Sequence, residues 1–301
     1  MRVNSFCAAC LWDKQLHKSD DPAYLAEVRQ IIDTRRDEDT APYLVYLFNR
    51  AFERRFGKAE PYKTVKRTYN DIVLSIESEL REKIESSADP LATSIAYARI
   101  GNYIDFGAMN HIDSDTFLAL LSDAGLRERD LGAYDAFVRQ CKTASRFLLI
   151  ADNCGEIVLD KLFLEQLHSA FPKMALSVMV RGAEVLNDVT PEDARYVGVD
   201  RLAALISNGS SVAGTIYEML SEEAKDAIDS ADVILAKGQG NYESLCGQGR
   251  HIFYSLLCKC RLFTDRFDVP ELTGVFIEET CAGYGHRKNQ TRLDHRKSDS
   301  A

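Results

Sequence analysis

Apolar positions recur along this chain in two different rhythms, and the change falls near Ser145. Before it they keep helical spacing: within 64–87, Val65, Tyr69, Ile72, Val73, Ile76, Leu80 and Ile84 form one stripe. Asp89-Pro90 reads as a helix start, a capping side chain followed by proline at the first helical position. The same spacing predicts helices at 22–33, 41–56, 115–124 and 133–143, with no strand-like alternation of any length. Residues 1–144 therefore read as a helical N-terminal region.

After Ser145, short apolar runs alternate with polar, helix-competent segments. The runs are 146–151, 175–180, 202–207, 232–236 and 251–257, with 274–278 as a sixth. Helices are expected between them at 156–170, 191–197, 212–220 and 222–229. Such alternation predicts an α/β domain at 145–285, a mostly parallel sheet with helices on both faces. The polar tail 286–301 is expected to be mobile.

In an open parallel sheet, ligands bind beyond the carboxyl ends of the strands. The first run is followed by Asp152-Asn153-Cys154-Gly155-Glu156, and the second by Arg181-Gly182 and then Asn187-Asp188. The third is followed by Asn208-Gly209-Ser210-Ser211, and the fourth by Lys237-Gly238-Gln239-Gly240-Asn241. Asp152, Asn153 and Asp188 offer the oxygen ligands that magnesium and manganese prefer. Lys237 offers a charge for phosphoryl oxygens, and the glycines beside it let backbone N–H groups approach an anion.

Each feature also has a purely structural reading. Asn153 with Glu156 can be a helix-capping pair, and Thr190-Pro191-Glu192-Asp193 reads as a helix start. Asp113-Ser-Asp115 precedes a helix and reads as a cap, and Lys237 beside carboxylates can be a structural ion pair. Cys7/Cys10 and Cys258/Cys260 form two close pairs, open to a four-thiolate metal site or to ordinary buried cysteine.

Composition narrows the class further. With 46 acidic against 37 basic residues, the net charge of −9 argues against a protein that coats nucleic acid or anionic lipid. The apolar run 147–151 is too short to span a bilayer, and Asp13 arrives too early for a secretion signal. A cytoplasmic protein is expected. There is no P-loop, no G-x-G-x-x-G after the first strand and no G-x-S-x-G elbow.

The motifs Asp152-Asn153-x-Gly155-Glu156, Arg181-Gly182 with Asn187-Asp188-Val189-Thr190, and Lys237-Gly238-Gln239-Gly240-Asn241-Tyr242-Glu243 resemble those of the damage-control phosphatase family. Cys7-x-x-Cys10 and the segment from Gly101 through Asn102 and Asp105 to Gly107 are similar to its prokaryotic subgroup. The resemblance implies helices packed on a Rossmann-like domain. It implies hydrolysis of small phosphorylated metabolites, sugar phosphates among them, with a divalent ion (Mn2+, Co2+, Ni2+ or Mg2+) held by Asp152, Asn153 and Asp188. Asp152, Asp188 and Lys237 are then the catalytic set, with Glu156, Arg181, Ser210, Lys237 and Asn241 around the substrate. Attack by metal-activated water and attack by Asp152 both remain open. A non-catalytic phosphometabolite-binding protein and a protein carboxyl methyltransferase are the alternatives.

Overall fold

Six strands form one sheet in the order β3-β2-β1-β4-β5-β6. They are β1 (Arg146–Ile150), β2 (Ala175–Val180), β3 (Ala204–Ser207), β4 (Val233–Lys237), β5 (Ile252–Cys258) and β6 (Thr273–Glu279). The structure is a computed structural model and describes residues 1–57, 62–101, 103, 121 and 124–279. Every neighbouring pair is parallel except β5 with β6, which runs antiparallel in the register Ile252↔Glu279 to Cys258↔Thr273. The order reverses at β1, which pairs with β2 on one side and β4 on the other. That reversal is the topological switch point, where this kind of sheet opens toward ligands.

The alternation within the strands explains why both faces are covered. Phe147 and Leu149 point into a core with α4 (Lys63–Ser75), α5 (Glu77–Glu85), α6 (Pro90–Gly101), α7 (Glu128–Cys141), α8 (Glu156–Ala170) and α9 (Pro191–Val197). Leu148 and Ile150 point into the opposite core, with α10 (Glu222–Ser230), α11 (Gly238–Leu245) and α12 (Arg261–Phe267). Phe137 of α7 is fully buried and meets Phe253 and Phe276 edge-on at 5.3 and 5.9 Å. Each such aromatic pair adds about 1 kcal/mol beyond its burial, enough to dock α7 firmly on the sheet.

The helical region 1–144 serves two cores. α1 (Ser5–Lys18), α2 (Pro22–Asp33) and α3 (Ala41–Phe56) enclose a small core of their own around Tyr24, Val28, Leu44 and Phe48. The helices from α4 onward belong to the sheet's core.

Two expected helices differ. The stripe at 64–87 breaks at Ile76, whose φ of −112° leaves the helical range and separates α4 from α5. Only Tyr217–Met219 of 212–220 is helical, a single 3-10 turn. Thr215 instead gives its N–H to Ser244 Oγ at 2.8 Å and its hydroxyl to Asn241 Oδ1 at 2.8 Å, so tertiary bonds replace helical ones. The expected helix at 115–124, the cap at Asp113/Asp115, Asn102, Asp105 and the tail 286–301 lie outside the described residues.

Candidate active site

The loop after β1 and the loop after β2 are stitched together by their backbones. Val189 N–H donates to Asp152 O, Cys154 N–H to Asn187 O and Arg181 N–H to Val189 O, each at 2.9 Å. The result is an isolated antiparallel bridge, Asn153↔Asp188. Two segments 36 positions apart thus carry Asp152, Asn153 and Asp188 side by side.

Arg181 gathers this group. Its Nε donates to Asp188 Oδ2 at 2.6 Å, and its NH2 lies 3.5 Å from Asp152 Oδ1. Its NH1 donates to Asn241 Oδ1 at 3.1 Å and to Thr215 Oγ1 at 3.4 Å. The guanidinium is buried, yet its NH2 has no hydrogen-bond partner among the described residues. A buried donor left unpaired is costly, typically about 1–3 kcal/mol. An incoming anionic oxygen would satisfy it.

Two glycines allow the close approach of these loops. Gly238 opens α11 at φ +75°, and a Cβ there would stand 1.9 Å from Asp152 Oδ2. Gly182 packs against Gly209, with a Cβ position 2.4 Å from the Gly209 Cα. Asn208 closes that contact by accepting the N–H groups of Gly182 and Ser210 at 2.8 Å each. The segment Asn208-Gly209-Ser210 is therefore filled by protein backbone, which disfavours the cofactor loop a methyltransferase would need. Ser210 Oγ accepts the Val212 N–H at 3.1 Å and keeps its own proton to donate.

Three expected substrate ligands turn away from that role. Lys237 Nζ donates to Glu156 Oε1 at 2.6 Å, Asp160 Oδ1 at 2.6 Å and Ala98 O at 3.0 Å. All three ammonium hydrogens are used, inside the protein, and none is left for phosphate. Burial works against the charge, but the Asp160 and Glu156 carboxylates outweigh it and raise the Lys237 pKa. Glu156 is fully buried in this triad, and its Oε2 accepts from Asn153 Nδ2 at 3.4 Å. It is a support beneath Asn153, and Asn153 caps no helix, since α8 starts from Gly155. Asn241 is also saturated: Nδ2 donates to Lys237 O and Ala151 O, and Oδ1 accepts from Arg181 and Thr215. It holds the Arg181 guanidinium in place.

The cysteine pairs approach one another, since the Cys7 thiol is influenced by Cys10, Cys260 and Glu243, and Cys258 by Cys260. Burial pushes the thiols of Cys7 and Cys258 up to about 12 each. Among the described residues no group of three or more His, Cys, Asp or Glu side chains can hold a metal ion. The four-thiolate site considered for Cys7, Cys10, Cys258 and Cys260 is not formed. At the acidic centre the oxygen donors are two carboxylates and an amide.

Asp160 is the residue of this network that motif reading overlooked. Asp160 carried a signal: with Glu156 it makes an i, i+4 acidic pair on a helix whose other buried positions are mostly apolar. Thr190-Pro191-Glu192-Asp193 is the helix start its sequence suggested, closed by a capping box with Thr190 N–H on Asp193 Oδ2 at 2.9 Å.

Fold and site together define an α/β protein that gathers acidic oxygens and a buried guanidinium at its switch point. The damage-control phosphatase ARMT1-like domain matches residues 6–273, and the chain belongs to that family of phosphatases. A damage-control phosphatase of Archaeoglobus fulgidus is 28% identical over 275 residues, covering 86% of this chain and 93% of that protein. An uncharacterized protein of Methanocaldococcus jannaschii is 33% identical over 231 residues, 73% of each chain. The crystal structure of a DUF89 family protein from Pyrococcus horikoshii shares the fold. Its TM-score is 0.76 at 23% identity, over 91% of this chain and 98% of that one. No helix among the described residues is long and apolar enough to cross a membrane.

Proposed function

We propose that this phosphatase is a metal-dependent phosphomonoester hydrolase acting on small phosphorylated metabolites, sugar phosphates among them. The observation that carries the reading is the convergence of Asp152 and Asp188 on Arg181, whose buried NH2 faces Asp152 at 3.5 Å and has no hydrogen-bond partner among the described residues. The donor set fits a hard divalent ion such as Mn2+, Co2+, Ni2+ or Mg2+: Asp152, Asn153 and Asp188 supply only oxygen, from two loops joined by a backbone bridge. Those three residues would hold it. When bound, such an ion offsets charge on phosphoryl oxygens and makes water more acidic.

The chain's own groups account for the rest. Arg181 NH2 is available to a phosphoryl oxygen, and Asn241 and Thr215 hold the guanidinium in place. Ser210 can donate its hydroxyl proton beside Gly182. Asp152, the more exposed carboxylate at 12% against 5% for Asp188, is the one nearer to solvent and substrate.

Phosphate release from a panel of phosphorylated metabolites, with each of the four ions and after chelation, tests this. Activity that vanishes on chelation and returns with a divalent ion is the expected result. Full activity in metal-free protein would remove the metal, and no release from any phosphomonoester would remove the hydrolase reading.

A further inference from the structure

Two buried polar side chains on α4 hold the acidic loops without supplying a metal oxygen. Asn70 Oδ1 accepts the Gly155 N–H at 2.6 Å, and Asn70 is only 1% exposed. Gly155, at φ +80°, closes the turn that carries Asp152 and Asn153 into α8. Its N–H lies at a helix start, where backbone donors lack intrahelical partners.

One turn earlier on the same face, the fully buried Lys66 pairs with Glu184 at 2.9 Å and Asp193 at 2.5 Å. Those carboxylates lie on either side of Asp188 in the chain. Asp193 in turn holds the N–H and hydroxyl of Thr190. Helix α4 thus grips the first acidic loop through Asn70 and both ends of the second through Lys66. Docking of the helix has separate contacts nearer the surface: Lys63 with Glu192, Arg67 over the Tyr196 ring, and the Tyr196 hydroxyl on Asp71.

We propose that Asn70 and Lys66 are positioning residues that set the spacing of loops 152–155 and 184–193, and through it the site's affinity for its metal. This rests on the metal reading of Asp152, Asn153 and Asp188. Groups that orient metal ligands from behind typically account for about 10–100-fold in affinity. A helix lacking any ligand then governs how tightly the two loops close on the ion.

Calorimetric titration with Mn2+ tests it, alongside melting temperature and the kcat and KM for p-nitrophenyl phosphate. Asn70→Ala is expected to weaken Mn2+ binding by about tenfold or more and to lower kcat with little change in KM. Asn70→Asp keeps the acceptor for Gly155 N–H and is expected to recover most of the affinity. Lys66→Gln should weaken Mn2+ binding similarly; if it fails to fold, Glu184→Gln removes one of the two carboxylates from the ammonium and reads the same effect. Arg67→Ala, which loosens only the surface contact, should leave Mn2+ affinity unchanged. Parent-like Mn2+ binding by Asn70→Ala, or failure of Asn70→Asp to recover it, overturns the positioning role alone. A parent chain that binds no Mn2+ overturns the metal reading and this inference with it.

Discussion

The Lys237 ammonium stands 2.6 Å from Asp160 Oδ1, and both side chains are buried beneath the acidic loops. Glu156 shares the same ammonium at 2.6 Å and touches Asn153 on its other side. One cation therefore serves two carboxylates in a place where water cannot help. This triad ties β4, α6 and α8 together directly behind the site.

Lys237→Met is expected to behave as a stability variant. Removing the cation leaves buried carboxylates without a partner, at a cost of about 3–5 kcal/mol. Urea unfolding should show that loss, while phosphate affinity in the folded fraction stays near the parent value. Parent-like stability combined with lost phosphate affinity would return Lys237 to the substrate.

Burial, and then the neighbouring Glu156 charge, push the Asp160 carboxyl up to about 7 from its ordinary 3.8, against the opposing pull of Lys237. The folded chain therefore binds this proton more tightly than the unfolded chain does. Its contribution is complete below pH 3.8 and is lost as the pH rises through about 7. When Asp160 is protonated, Lys237 and Glu156 balance one to one. Unfolding free energy measured between pH 5 and 8 should fall with rising pH, by up to about 1.4 kcal/mol per unit from this group. Asp160→Asn should flatten that slope; an unchanged slope would mean Asp160 is ionised throughout.

Asp152→Asn and Asp188→Asn should each slow phosphate release by at least about 10², the scale lost with an electrostatic catalytic group. Their stabilities should differ. Asp188 accepts directly from the buried Arg181, so Asp188→Asn is expected to cost about 3 kcal/mol. Asp152 is 3.5 Å from the guanidinium and more exposed, and its loss should be felt less. Thermal melts alongside a phosphate-release assay separate the two effects, and equal melting temperatures would contradict the stated geometry.

Gly238→Ala should be damaging out of proportion to its size. The added Cβ would fall 1.9 Å from Asp152 Oδ2, at a φ of +75° that L-residues rarely adopt. Asp152 has to move, so turnover is expected to drop by about 10² or more, since small misplacements of reacting groups carry that penalty. A variant that folds and retains normal turnover would show that Asp152 can shift freely.

Much of the fold was legible in one dimension. The helix Pro191–Val197 and the strand Ala175–Val180 fall on the expected positions, because apolar spacing and a proline-led capping box are local signals. The irregular backbone at Thr215 was not, because Ser244 holds its N–H from 29 positions further along the chain. At the site, Asp152, Asn153 and Asp188 could be named as strand-end oxygens. That Arg181 stands between the two aspartates is visible only once Val189 and Asp152 are hydrogen-bonded.

Lys237 shows where the boundary lies. Sequence alone placed it directly after the apolar run 232–236; in the structure it is the last residue of β4, on the side of Val233 and Leu235 and away from Ile234 and Ala236. What sequence could not supply was which layer covers that side. The tertiary structure packs α8 and α6 there, so Glu156, Asp160 and Ala98 O meet the ammonium, and the lysine points into the core instead of out over the strand ends. Arg181 has the opposite parity, with Met179, and faces α11, where Asn241 aims its guanidinium at the aspartates. Chain order specified which charged groups stand at the strand ends. The packing of helices on each face decided which of them became internal counter-ions and which could still meet a ligand, because a buried charge must find its partner in whatever layer closes over it.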